Sequence, residues 1–206
     1  MALILNNKLN VLESGELARK EELISKKKAL QLYESEYLNQ LESGSFFALS
    51  EIHRILFEDI YDFAGKIRTV NIAKGHFRFA SAMYLELALK EIDQMPIGTY
   101  DEIIKKYVEM NVAHPFREGN GRSMRIWLDA TLKKSLGQVI DWSMVDKDQY
   151  LSAMERSPVN DLDIKCLLQK ALTSKINDRQ LFMKSVDYSY DYEGYNQYKL
   201  EEIIEK

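Results

Sequence analysis

Twelve consecutive residues, His114-Pro115-Phe116-Arg117-Glu118-Gly119-Asn120-Gly121-Arg122-Ser123-Met124-Arg125, bring a base, a carboxylate, two glycines and fixed positive charge together. Glycines on either side of an asparagine can turn successive backbone N–H groups inward as a nest. A helix starting at Asn120 would aim its positive end at the same spot. Such a cradle fits a phosphate. Glu118 is a hard oxygen ligand suited to Mg²⁺, and Arg122 and Arg125 add guanidinium charge. His114 titrates near neutrality and can take a proton from an attacking hydroxyl. Together these residues read as phosphoryl or nucleotidyl transfer.

Helices must position this loop. Only three prolines and nine glycines punctuate the chain, and apolar residues recur every three to four positions, so the fold class is mainly α. Thr99 and Glu102 form a capping box ahead of Ile103, Ile104, Tyr107 and Val108, which predicts a helix leading into His114. Met124, Trp127, Leu128, Thr131 and Leu132 continue at helical spacing to Gly137, giving a helix, phosphate loop, helix order. Upstream, helices are predicted over about Glu16 to Glu42, with Gly44 ending it, Phe46 to Phe63, and Ser81 to Met95. Downstream, Asp146 to Arg156 and Asp161 to about Ser174 read as packing helices. The run Lys26-Lys27-Lys28 reads as a solvated face, and His53 and His76 as surface or packing residues. Between Gly65 and Ala80 the period changes across Lys74-Gly75-His76, which predicts a β-hairpin. A lone hairpin leans on its neighbours and leaves an edge that can receive a target segment by strand addition, a substrate flap.

Composition narrows the function classes. With 28 basic and 32 acidic side chains the net charge is −4, without the basic field of a non-specific DNA binder, so nucleic acid is not an expected partner. Cys166 is the only cysteine, and its apolar neighbours predict a buried small side chain. The apolar start Met1 to Leu5 breaks at Asn6-Asn7-Lys8, too short for a signal segment, and no run approaches membrane-spanning length. The expectation is a cytoplasmic protein that does not enter a membrane.

His114, Phe116, Glu118, Gly119-Asn120-Gly121, Arg122 and Arg125 match every fixed position of the Fic family pattern H-x-F-x-[DE]-G-N-G-R-x-x-R. From about Ser45 to Ser174 the chain resembles a Fic-type helical domain with a short β-hairpin flap. The resemblance implies three segments: an N-terminal helical arm (1–44), the core domain (45–174), and an inhibitory helix and tail packed on the core (175–206). It implies transfer of AMP from ATP to a Ser, Thr or Tyr hydroxyl of a protein target docked on the flap, with a homo-oligomer left open. In that resemblance His114 is the general base, Phe116 the buried anchor, and Glu118 the ligand for Mg²⁺ or another divalent cation. Gly119, Asn120 and Gly121 supply the amide cradle, Arg122 meets the β-phosphate, Arg125 meets the γ-phosphate, and Lys74 is a further nucleotide candidate.

Beyond Met183 the chain turns tyrosine-rich. Ser189 and Glu193 stand four apart and would share one helix face. Ser189-Tyr190-Asp191-Tyr192-Glu193-Gly194 matches the family's inhibitory pattern [ST]-x-x-x-E-[GN], which implies that Glu193 pairs with Arg125 and takes the guanidinium that the γ-phosphate needs. Two other readings of the same residues are removal of AMP from modified protein by a Glu193-oriented water, and a nucleotide-binding regulatory module without significant catalysis. Tyr190 and Tyr195 are the expected acceptors in self-modification.

Overall fold

The computed structural model describes residues 4–75 and 77–204, so the apolar start at Met1 and the turn residue His76 lie outside the described residues. Helix dominates: α1 (Ser14–Glu34), α2 (Phe46–Phe57), α3 (Leu85–Asp93), α4 (Tyr100–Ala113), α5 (Asn120–Leu136), α6 (Lys147–Arg156), α7 (Leu162–Gln169), α8 (Arg179–Asp191) and α9 (Leu200–Ile204). Two short antiparallel pairs accompany them, β1 (Ala73–Lys74) with β2 (Phe77–Arg78) and β3 (Val139–Ile140) with β4 (Leu172–Thr173). Ala73 lies opposite Arg78, and Lys74 opposite Phe77.

The core wraps α5. Every residue from Arg122 to Leu128 is buried, because α2, α4 and α8 all pack against this helix. A helix covered on several sides needs no single apolar stripe, and polar side chains on it must find partners inside the protein. The capping box forms as expected, with Thr99 and Glu102 bonding each other's backbone at the start of α4. At the far end His114 adopts a left-handed conformation (φ 46°, ψ 65°), which stops α4 and turns the chain into the loop. Gly119, also left-handed (φ 75°), turns it back into α5.

Several predicted boundaries are corrected. The helix expected over Glu16 to Glu42 stops at Glu34, because Glu36 takes a left-handed turn (φ 56°), and only a short 3-10 turn, Tyr37–Asn39, follows. α2 stops at Phe57. Ile60 and Tyr61 are buried, but they are carried by turns that bond back to the Phe57 carbonyl, so inward-facing residues imitated a longer helix. The hairpin holds two residues per strand rather than spanning Gly65 to Ala80, and Ser81 to Met95 splits into a 3-10 turn and the shorter α3. The last predicted packing helix ends at Gln169, and its tail forms β4 instead. Cys166 is exposed, on the outer face of α7.

The lysine run is not uniformly solvated either. Lys26 is buried, with Nζ 3.0 Å from Glu22 on its own helix, 2.8 Å from Asp187 on α8, and donating to the Tyr198 carbonyl at 2.6 Å. One ammonium thus ties α1, α8 and the segment before α9. Lys147 of α6 donates to the Asp191 carbonyl at 2.6 Å, and the Tyr192 hydroxyl donates to the Val145 carbonyl, also at 2.6 Å. The end of α8 is therefore pinned from two sides over the start of α5.

Candidate functional site

The loop between α4 and α5 is closed by its own side chains. Asn120 accepts from the Phe116 amide and donates to the Phe116 carbonyl, both at 2.8 Å, so its amide group is spent on holding the loop and leaves only its backbone N–H for an anion. Phe116 is fully buried and stacks on His53 with ring centroids 3.8 Å apart. His53, read from sequence as a surface or packing residue, packs in the core and is doubly bonded. The Gly65 amide donates to Nδ1 at 2.9 Å, so the ring proton sits on Nε2, which donates to the Glu118 carbonyl at 2.8 Å. Burial pushes its pKa down to about 3 and keeps the ring neutral.

His114 is held in one tautomer by the same logic. Its Nδ1 lies 3.2 Å from the Asn111 carbonyl, which can only accept, so Nδ1 carries the proton and Nε2 keeps a lone pair. The ring stacks on Phe79 at 3.6 Å. Burial lowers its pKa to about 4, with Arg68 and Lys74 pushing the same way and Glu193 opposing. Near neutral pH it is an uncharged acceptor. Its backbone is fixed by Arg68, which sequence reasoning passed over. The buried Arg68 guanidinium donates to the carbonyls of His114 (2.8 Å), Val70 (2.7 Å), Ala80 (2.5 Å) and Ala113 (3.1 Å), fastening both ends of the hairpin segment to the end of α4.

The cradle lies at the start of α5. The amides of Asn120, Gly121 and Arg122 fall in the first turn, where no intrahelical carbonyl serves them. The missing side chain of Gly121 makes room for the Glu193 carboxylate, which a Cβ there would push away from the cradle. Gly119 is doubly constrained, by its positive φ and by Phe57 against the site of a Cβ. Glu118 accepts from the Gly119 amide at 3.0 Å and from Arg122 at 3.2 Å through Oε1, while Oε2 takes no bond among the described residues. Burial raises its pKa, against the pull of Arg122. A carboxylate with one free oxygen beside an anion cradle fits a divalent cation that takes its other ligands from phosphates and water. Among the described residues no group of three His, Cys, Asp or Glu side chains comes together.

Both arginines meet one carboxylate. Glu193 accepts from Arg122 Nε at 2.9 Å through Oε2 and from Arg125 Nη2 at 2.8 Å through Oε1. Ser189, in the last turn of α8, adds its hydroxyl (2.6 Å) and its carbonyl (2.7 Å) to Arg125. Burial opposes the Glu193 charge, but the two guanidinium groups outweigh it and hold the carboxyl below its ordinary range. The sequence pattern named Arg125 alone as the partner, and the structure adds Arg122. It also adds Glu21 of α1, whose Oε1 lies 2.6 Å from Arg122 Nη1. Tyr190 is fully buried against Arg122 and Lys26, so its hydroxyl is out of reach of an external phosphate in this conformation. Tyr195 is half-buried, 4.3 Å over the Arg122 guanidinium. Lys74 is exposed on β1.

A polar residue inside an apolar stripe is the signal that would have found some of these. Glu21 follows Leu17 by four and Lys26 precedes Leu30 by four on the buried face of α1. Arg68 gave no such signal, because its neighbours read as strand.

Residues 45–132 match the family model described as Fic/DOC family. The chain is 30% identical over 173 residues to "Protein adenylyltransferase VbhT" of Bartonella schoenbuchensis, covering 72% of this chain but 36% of VbhT, so it spans about a third of that relative. It is 30% identical over 175 residues to "Probable protein adenylyltransferase y4lH" of Sinorhizobium fredii, covering 77% of this chain and 85% of the relative. In fold it resembles the BepC effector of Bartonella tribocorum, solved with bound AMPPNP, at a TM-score of 0.65 and 19% identity over 82% of this chain and 92% of that one. Together with the loop geometry, these likenesses place the chain in the Fic/DOC family.

Proposed function

We propose that the protein is an adenylyltransferase that moves AMP from ATP onto a Ser, Thr or Tyr hydroxyl of a protein. The observation that carries this is the pairing of a neutral His114, with its Nε2 lone pair free, and an anion cradle at the start of α5 flanked by Arg122 and Arg125. The hydroxyl oxygen attacks the α-phosphorus, the bond to the pyrophosphate oxygen breaks, and the hydroxyl proton passes to His114 Nε2. A positioned base of this kind contributes about 10² to 10⁴ in rate. First-turn amides bind the phosphates, and the guanidinium groups orient the triphosphate tail. The free Glu118 oxygen would hold Mg²⁺, which when bound neutralises charge developing on the leaving group. Lys74, whose charge is felt at both His114 and Glu193, is positioned to add to nucleotide binding, and the β1–β2 edge is the docking place for the target segment.

On this reading Glu193 is a brake. It occupies donors on both arginines, so ATP must displace it or bind with its α-phosphate misplaced, and about 1 Å of misplacement costs roughly 10²-fold. The test is α-labelled ATP with the parent, Glu193→Gly and His114→Ala proteins. Label on protein should rise in Glu193→Gly and vanish in Glu193→Gly with His114→Ala. Labelling in Glu193→Gly no higher than in the parent would end the brake, and activity without His114 would end the base. Glu193 is held ionised beside the cradle, and its charge partly opposes the burial that lowers the His114 pKa, which also favours a role in orienting water for AMP removal. Loss of removal in Glu193→Gly is the result expected of that second reading.

A further inference from the structure

We propose that Glu21, on α1 and outside the residues matched by the family model, is the positioning residue that fixes the Arg122 guanidinium for transfer. This deepens the transferase reading and rests on it. Arg122 is fully buried and meets three carboxylates: Glu193 at Nε, Glu118 at Nη2 and Glu21 at Nη1. Two of these have other duties in the cycle, since Glu193 must give way to phosphate and Glu118 faces the metal position. Glu21 has neither duty. Its side chain is 2% exposed, and its Oε2 accepts from the buried hydroxyl of Tyr61, so the carboxylate is held from behind, on the side away from Arg122, by a residue that takes no part in the chemistry.

The rest of the environment explains why a third carboxylate is needed. Phe57 and Tyr195 lie 4.9 Å and 4.3 Å from the guanidinium carbon, with Tyr190 at 5.4 Å. Aromatic faces attract a cation but do not fix the direction in which its N–H groups point within the plane they cover. Glu21 opposite Nη1 does fix it. The contact is an ion pair at 2.6 Å rather than an aligned hydrogen bond, so its role is to set direction by charge. When a triphosphate displaces Glu193, Glu21 keeps Arg122 aimed at the cradle, and a preorganised donor needs no rearrangement at the moment of reaction.

The experiment uses the full chain carrying Glu193→Gly, alone and with Glu21→Gln or Tyr61→Phe. One arm records the Arg122 side-chain resonances by ¹⁵N NMR without nucleotide. The other measures kcat and KM for α-labelled ATP. Glu21→Gln should collapse the Arg122 signals into exchange-averaged ones and lower kcat and kcat/KM by the same factor, about 10-fold to 10²-fold. Tyr61→Phe keeps the carboxylate and should move both readouts the same way by less. An unchanged Arg122 spectrum in folded Glu21→Gln protein would overturn the proposal, as would a rise in KM with kcat intact. If Glu193→Gly alone puts no label on protein, the transferase reading falls, while the NMR arm still decides what Glu21 does.

Discussion

Arg68→Met removes a cation that holds four backbone carbonyls, and its effect can be worked out from the contacts. Arg68 is 4% exposed and donates to His114, Val70, Ala80 and Ala113, with no carboxylate paired to it among the described residues. Hydrogen bonds from a charged donor contribute about 1.5 to 3 kcal/mol each, roughly 6 to 12 kcal/mol in all. Burying the guanidinium costs several kcal/mol, and that same burial lowers its pKa. A net loss of about 3 kcal/mol remains, which for a chain of this size lowers the melting midpoint by roughly 6 to 12 °C. Activity should suffer beyond this, because the freed carbonyl belongs to His114 itself. A drift of the imidazole by about 1 Å costs roughly 10²-fold in kcat. The sign of the pH effect is fixed too. Arg68 helps to hold the His114 pKa down, so without it the acid limb of kcat moves to higher pH. The assay is AMP transfer against pH in the Glu193→Gly background, with thermal melting of the same preparations. Arg68→Lys offers three donors from one nitrogen and should fall between the two. An Arg68→Met protein that melts with its parent and keeps its kcat would refute the reasoning.

Two further outcomes are expected. Lys26→Met leaves Glu22 and Asp187 without their ammonium inside the α1–α8 contact, so it should destabilise the fold by about 3 to 5 kcal/mol and, by loosening α8, raise labelling in protein that retains Glu193; urea melts and the α-labelled ATP assay check the two halves. Acid should destabilise the chain through its buried histidines. The unfolded chain protonates them below about pH 6.5, whereas the folded chain does so only near 4 for His114 and near 3 for His53, so stability is held above pH 6.5 and drains as pH falls toward those values. Each histidine costs about 2 kcal/mol at pH 5. Urea midpoints at pH 7 and pH 5 should show it, with His53→Gln removing about half of the difference.

What the sequence disclosed and what it hid differ in physical kind. The loop was legible because its chemistry is local: a left-handed glycine, a helix start, a base and two guanidinium groups within twelve residues. The capping box was legible for the same reason, since it depends on one turn of helix, whereas Ser189 and Glu193 both reach Arg125 but do not share the expected helix face, because α8 ends at Asp191 and Glu193 lies in the turn beyond it. Hidden residues act across the fold. Arg68 satisfies carbonyls up to 46 residues away, and Glu21 meets a guanidinium on a helix that begins 99 positions later, contacts that no local period encodes. Helix ends were misplaced where turns rather than helix buried the apolar residues, as at Ile60 and Tyr61. Lys26 was misread because a charge run was taken as a unit, when only Lys27 of the three is exposed.

Three carboxylates converge on two arginines, and the structure bears on which of them yields when phosphate arrives. Glu21 is locked between Arg122 and Tyr61 in the middle of α1, so removing it would mean opening the α1–α2 contact. Glu118 is bonded through its own carbonyl to His53 and through Oε1 to the Gly119 amide, so moving it would undo the loop that makes the cradle. Glu193 stands beyond the last residue of α8 and is followed by Gly194, left-handed (φ 87°), exposed, and with nothing within 4 Å of where a Cβ would be. The Glu193 side chain is partly exposed, so rotation about its own bonds can withdraw the carboxylate while Ser189, the buried Tyr190 and the backbone bonds of the turn stay in place. Of the three, only Glu193 can exchange with a phosphate without dismantling the site that binds it.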